Sequence, residues 1–89
     1  MKRTYIALIG KKPETEYWVD IPDIPGCVPA GKTIGEARAN FAEAIDFHIE
    51  GMLLEGAPIP EPRLLNDVLA AEKDSYVDHY EIDINLTLH

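Results

Sequence analysis

The clearest alternation of apolar and polar residues lies near the C-terminal end, where Tyr80, Ile82, Ile84, Leu86 and Leu88 interleave with His79, Glu81, Asp83, Asn85 and Thr87. A repeat of two is the mark of a strand with one buried and one wet face, and it predicts a long strand over residues 76–88. Tyr17, Val19 and Ile21 alternate in the same way with Glu16, Trp18 and Asp20, which predicts a strand over residues 16–21. Residues 4–9, TYIALI, are apolar on both faces. They read as an interior strand, with a helix as one cover and another subunit as the expected second cover. Between these segments the period changes. Over residues 34–54, Ala37, Phe41, Ala44, Ile45, His48, Ile49 and Met52 recur at steps of three and four, the stripe of a helix lying on a sheet. Arg38, Asn40, Glu43, Asp46 and Glu50 fall on its wet side, while Phe47 and Leu54 leave the stripe and are expected to be covered by whatever follows the helix. Leu64, Leu65, Val68 and Leu69 form a narrower stripe and predict a second helix over residues 63–72.

Turn chemistry supplies the punctuation. Gly10-Lys11-Lys12-Pro13-Glu14 separates the first two strands. Pro22 ends the second, because proline has no N–H for a ladder. Pro25-Gly26 suits the central positions of a type II turn, proline setting the first φ and glycine allowing a positive second one. Cys27-Val28 then resumes an extended course as a short third strand. Thr33-Ile34-Gly35-Glu36 matches the capping box that opens a helix, and Gly56 closes it. Pro58, Pro60 and Pro62 exclude a helix and stiffen a crossing within one domain. Lys73-Asp74-Ser75 breaks the second helix. The order is β-β-β-α-α-β, an α+β class with a small antiparallel sheet and a long helix across one face.

Composition narrows what such a unit can do. At 89 residues it is one small domain spanning residues 1–89, and 46% hydrophobic residues are enough for a core. No apolar run reaches membrane-spanning length, and no signal sequence is evident, so the expected location is cytoplasmic. A net charge of −8 spread along the chain repels phosphate backbones and argues against direct nucleic-acid binding. Cys27 has no second cysteine for a disulfide or a zinc pair and reads as a buried apolar residue. His48 has no companion for a catalytic or metal constellation and reads as a core-border residue with its tip hydrogen-bonded.

Carboxylates that could serve two-metal chemistry are Asp20 and Asp23, Glu43 and Asp46, and Asp78 or Asp83. That chemistry needs them to converge within a few ångströms, and no pair forms a recognisable motif. The reading is therefore not an enzyme, with no cofactor and no metal. Trp18 shares a face with Asp20, so it is either packed locally or an interface anchor. The last strand is longer than a small core requires, which leaves Ile84, Leu86 and Leu88 as an apolar edge for self-association, as a homodimer or higher oligomer.

Tyr17-Trp18-Val19, the turn Pro22-Asp23-Ile24-Pro25-Gly26-Cys27, Gly31 before a Thr/Glu-capped Ala-rich helix, Glu50-Gly51 and Pro58-Ile59-Pro60-Glu61-Pro62 occur in this order and spacing. Together they resemble the HicB-like antitoxin family over roughly residues 3–85. The resemblance implies a partial ribonuclease-H-like fold and an antitoxin that binds and masks a small basic mRNA-cleaving toxin of the HicA type. Trp18, Asp20, Glu81 and Asp83 are the expected partner interface. Family members commonly carry a C-terminal DNA-binding segment, but nothing recognisable as one follows here, so operator binding is not expected of this chain. The alternative is an orphan HicB-like homo-oligomeric scaffold, or a degenerate ribonuclease-H-like domain with a weak nucleic-acid-related activity.

Overall fold

The computed structural model describes residues 2–13, 16–72 and 76–86. The elements follow the expected order: β1 (Lys2–Lys11), β2 (Tyr17–Asp20), β3 (Ala30–Gly31), α1 (Ile34–Glu55), α2 (Leu65–Ala71) and β4 (Asp78–Asn85). The strands form one sheet in the order β3-β2-β1-β4, with every neighbouring pair antiparallel.

β1 is the centre of this arrangement and is buried on both faces. Tyr5, Ala7 and Ile9 pack into the main core with Phe41, Ile45 and Ile49 of α1. Ile6 and Leu8 point the other way and pack with Val68 of α2, against which Trp18, Leu69 and Tyr76 also lie. The second cover is therefore the chain's own short helix, where another subunit was expected. α2 is shorter than its apolar stripe suggested, and only Val68 of that stripe is fully buried, with Leu64 and Leu65 facing solvent. Its first turn is lost because Leu64 is extended (φ −66°, ψ 150°), continuing the proline-stiffened crossing.

β4 pairs along β1, setting Tyr80 against Ala7, Ile82 against Tyr5 and Ile84 against Arg3. Its apolar face joins the α1 core, with Ile84 buried and Leu86 packed against the cluster. Leu86 is thus part of the core, and the expected projecting edge is absent at this residue. Leu88 and the end of the expected strand lie outside the described residues.

α1 begins as its capping sequence requires, with the Thr33 hydroxyl accepting from the Glu36 amide at 3.0 Å. It ends at Gly56 (φ 71°), where Ala57 N–H reaches the Met52 carbonyl at 2.9 Å and Gly56 N–H the Leu53 carbonyl at 3.2 Å. These two bonds make a Schellman cap. Ala37, Phe41, Ile45 and Ile49 are its buried residues, as the period indicated. Phe47 and Leu54 are not covered by the segment that follows, because that segment turns away along the sheet to reach the opposite face.

The route to that face is held by side chains. Tyr5 donates its hydroxyl to the Pro60 carbonyl at 2.6 Å, and Arg3 Nη1 donates to the Ile59 carbonyl at 3.4 Å. Asp23, a buried carboxylate in the turn after β2, accepts from the Arg63 backbone N–H at 2.9 Å and also from Arg63 Nε. That turn is the one the sequence indicated, with Gly26 at φ 102°. The third strand forms later than Cys27-Val28, at Ala30–Gly31, where Ala30 faces Trp18 and Gly31 faces Tyr17. Pro29 has no N–H to share and contributes its carbonyl to Val19 N–H at 3.3 Å, so regular pairing starts after it. A Cβ at Gly31 would run into the backbone of Glu36 and Ala37, so only glycine lets β3 pass the first turn of α1.

Asp23→Ala removes the acceptor of both Arg63 bonds. Arg63 keeps 42% of its side chain in solvent, so the freed guanidinium stays hydrated and the loss is that of the bonds themselves, about 2 kcal/mol. A melting temperature lower by about 10 °C is expected, and an unchanged melt would show that the clamp does not hold the crossing.

Candidate functional site

Among the described residues no three His, Cys, Asp or Glu side chains come together as a metal-binding group. The carboxylates considered from the sequence are dispersed. Asp23 is engaged by Arg63 inside the fold, and Glu43 and Asp46 lie on the outer side of α1. Asp83 accepts the Thr4 hydroxyl at 2.6 Å, and Asp78 accepts from the His79 amide at 2.8 Å. What this arrangement offers is surface.

Trp18, Asp20, Glu81 and Asp83 do share one side of the sheet, because Trp18 lies opposite Gly10, Asp20 opposite Leu8, Glu81 opposite Ile6 and Asp83 opposite Thr4. The structure nevertheless divides them. Trp18 and Asp20 are half-buried at the α2 end, with β1 between them and β4, whereas Glu81 and Asp83 are exposed on the edge strand. Trp18 packs into the cluster of Ile6, Leu8 and Val68. A Cβ on Gly10 would overlap its indole carbons, so the ring occupies the space that glycine leaves open. The local reading of Trp18 is the one the geometry favours.

Asp20 sits where burial, and secondly the Glu72 carboxylate, push its carboxyl above the ordinary value. Burial, and then Asp20, raise the Cys27 thiol in turn, and Cys27 is buried as a small apolar residue would be. His48 borders the core beneath the turn, its ring 3.3 Å from where a Cβ on Gly26 would stand. Of the residues expected at a self-association edge, Ile84 is 2% exposed. It can offer a second copy only its backbone.

One surface was missed in the sequence. Phe47 is 79% exposed and Leu54 70%, and Phe47 lines a shallow depression of about 360 Å³ with Glu43, Asp46 and Glu50. Their departure from the buried stripe was visible in the heptad spacing. That nothing covers them in the described fold required knowing where residues 57–64 go.

Residues 5–88 match the family described as HicB_like antitoxin of bacterial toxin-antitoxin system. An uncharacterised 14.9 kDa protein of Haemophilus phage HP1, from the rep-hol intergenic region, is 40% identical over 70 residues, which is 76% of this chain and 53% of the phage protein. The Burkholderia pseudomallei antitoxin HicB superposes with a TM-score of 0.68 at 26% identity, covering 92% of this chain and 61% of that one. A chain of the HicA3 and HicB3 toxin-antitoxin complex superposes with a TM-score of 0.64 at 28% identity, covering 92% of this chain and 95% of that one. The chain thus spans about half the length of the phage relative and under two thirds of the full B. pseudomallei antitoxin.

Two outcomes are expected from the α2-covered face. Gly10→Val should displace the only tryptophan of the chain, shifting its fluorescence to the red with a lower melting temperature; an unchanged emission spectrum would contradict the packing described. For Asp20 the folded carboxyl holds its proton more tightly than the unfolded one, so the ionised form costs stability at neutral pH, and that cost fades as pH falls through the raised value. Asp20→Asn should therefore melt above the parent at pH 7, with the gap closing in melts stepped down to about pH 4. A gap independent of pH would rule this out.

Proposed function

From the premise that this chain belongs to the HicB-like antitoxins of bacterial toxin-antitoxin systems, we propose that it binds a toxin of the HicA type and neutralises it by covering its surface. The observation that carries the reading is its likeness to a chain of the HicA3 and HicB3 complex, at 28% identity over nearly the whole of that chain. A unit of this size and fold occurs there within a toxin–antitoxin assembly. The charge supports the same reading. With 16 acidic against 8 basic residues, the chain creates a negative field that speeds encounter with a cationic protein and orients it. Glu81 and Asp83, exposed on β4, are the part of the expected interface that stands open to this role.

The action proposed is occlusion, without bond-making by this chain. Among the described residues, Asp23, Asp78 and Asp83 are engaged in structural hydrogen bonds, and no three His, Cys, Asp or Glu side chains gather as a metal-binding group. No helix among the described residues is long and apolar enough to cross a membrane, and the site of action proposed is the cytoplasm, where mRNA-cleaving toxins find their substrate. A homo-oligomeric state has its own support. β4 is an edge of the sheet, and its outer backbone is where a second copy would pair.

Co-expression tests the reading. Growth arrest caused by a toxin of the HicA type should be relieved when the chain is produced with it. Persistent arrest with both proteins present and soluble would sink the antitoxin assignment. Glu81→Lys with Asp83→Lys should slow association by about tenfold at low salt and less at high salt.

A further inference from the structure

The outer side of α1 carries a surface that the fold itself does not use. Phe47 and Leu54 are the two most exposed large apolar residues of that helix, at 79% and 70%. Gly51 stands between them, four residues after Phe47 and three before Leu54, so the three are contiguous on the helix surface. A glycine inside a helix weakens it relative to alanine, and such a position normally has a packing reason. Gly10 and Gly31 have one, since Trp18 and the first turn of α1 fill the space where their side chains would be. Gly51 has none among the described residues, because a Cβ there would meet nothing within 4 Å. The notch is open to solvent.

The charge around it is one-sided. Glu43, Asp46 and Glu50 rim the depression next to Phe47, and the last turn of α1 holds no basic residue. Arg38, the single Lys or Arg in α1, is near the other end and stacks 3.9 Å over the Tyr80 ring. A second copy of this face is a poor occupant, because it would bring like charges together.

We propose that the outer face of α1, centred on the Gly51 notch between Phe47 and Leu54, is a docking surface for a cationic amphipathic segment of the toxin partner. The notch admits close approach of the partner's chain, the two apolar side chains are covered, and Lys or Arg side chains meet Glu43, Asp46 and Glu50. This inference rests on the antitoxin reading and deepens it by naming the contact face. Exposed charges on β4 govern encounter, and the α1 face governs how long the complex lasts.

The test is calorimetric and kinetic binding of the purified chain to a purified toxin of the HicA type. Gly51→Ala should raise the melting temperature of the free chain by about 4 °C and yet weaken the complex about tenfold, through faster dissociation. Phe47→Ala should leave the free chain folded, by the emission of Trp18, and weaken the complex about thirtyfold. If the parent binds and both variants bind within about twofold of it, the antitoxin reading stands and the α1 face is refuted. If the parent does not bind, both fall together. If Phe47→Ala instead lowers the light-scattering mass of the free chain and leaves the complex intact, the face belongs to a second copy and the proposal is overturned.

Discussion

A strand with apolar side chains on both sides can be stable only between two covers, and β1 imposes this condition on everything else. Tyr5, Ala7 and Ile9 face one way and Ile6 and Leu8 the other, all nearly inaccessible to water. Full burial of a large aliphatic side chain is worth roughly 1.5–3 kcal/mol, so leaving either face open would consume a large part of a small domain's stability. One helix cannot cover both sides. The chain places α1 directly on one face and must then carry itself around the sheet to bring α2 to the other. The alternate prolines keep that passage extended, and Asp23, Tyr5 and Arg3 bind it to the turn and to β1.

This route decides which surfaces are left for function. The sheet face next to Trp18 is roofed by α2, and the indole spends its area on Ile6, Leu8 and the gap over Gly10. Among the described residues nothing covers the outer side of α1, because the segment that could have folded back over Phe47 and Leu54 is committed elsewhere. β4 lies at the sheet edge with its acids outward. A small unit that spends both helices on one strand leaves the outer side of its long helix and its edge strand exposed.

The glycines separate internal from external demands. At Gly10 and Gly31 the missing side chain is required by neighbours within the chain, and at Gly26 and Gly56 by a positive φ. Among the described residues Gly51 meets neither condition, nor does Gly35 in the first turn of α1, which has no exposed large apolar neighbour like Phe47 one turn away. The setting of Gly51 among exposed apolar and acidic residues is therefore a feature of the surface.

Local patterns determined much of this in advance. The α1 stripe, its Thr33 and Gly56 ends, the turn at Pro25-Gly26 and the alternation of β4 are each set by residues within a few positions of one another, where period and capping chemistry act. The family resemblance rested on the same local marks. Periodicity reports that a side chain is buried but carries no information on what buries it. So the identity of the second cover over Ile6 and Leu8, the exposure of Phe47 and Leu54, the start of β3 after Pro29 and the separation of Trp18 from Glu81 and Asp83 were settled by the tertiary structure. Each depends on contacts between segments far apart in the chain, such as Asp23 with Arg63, whose pairing no local spacing encodes.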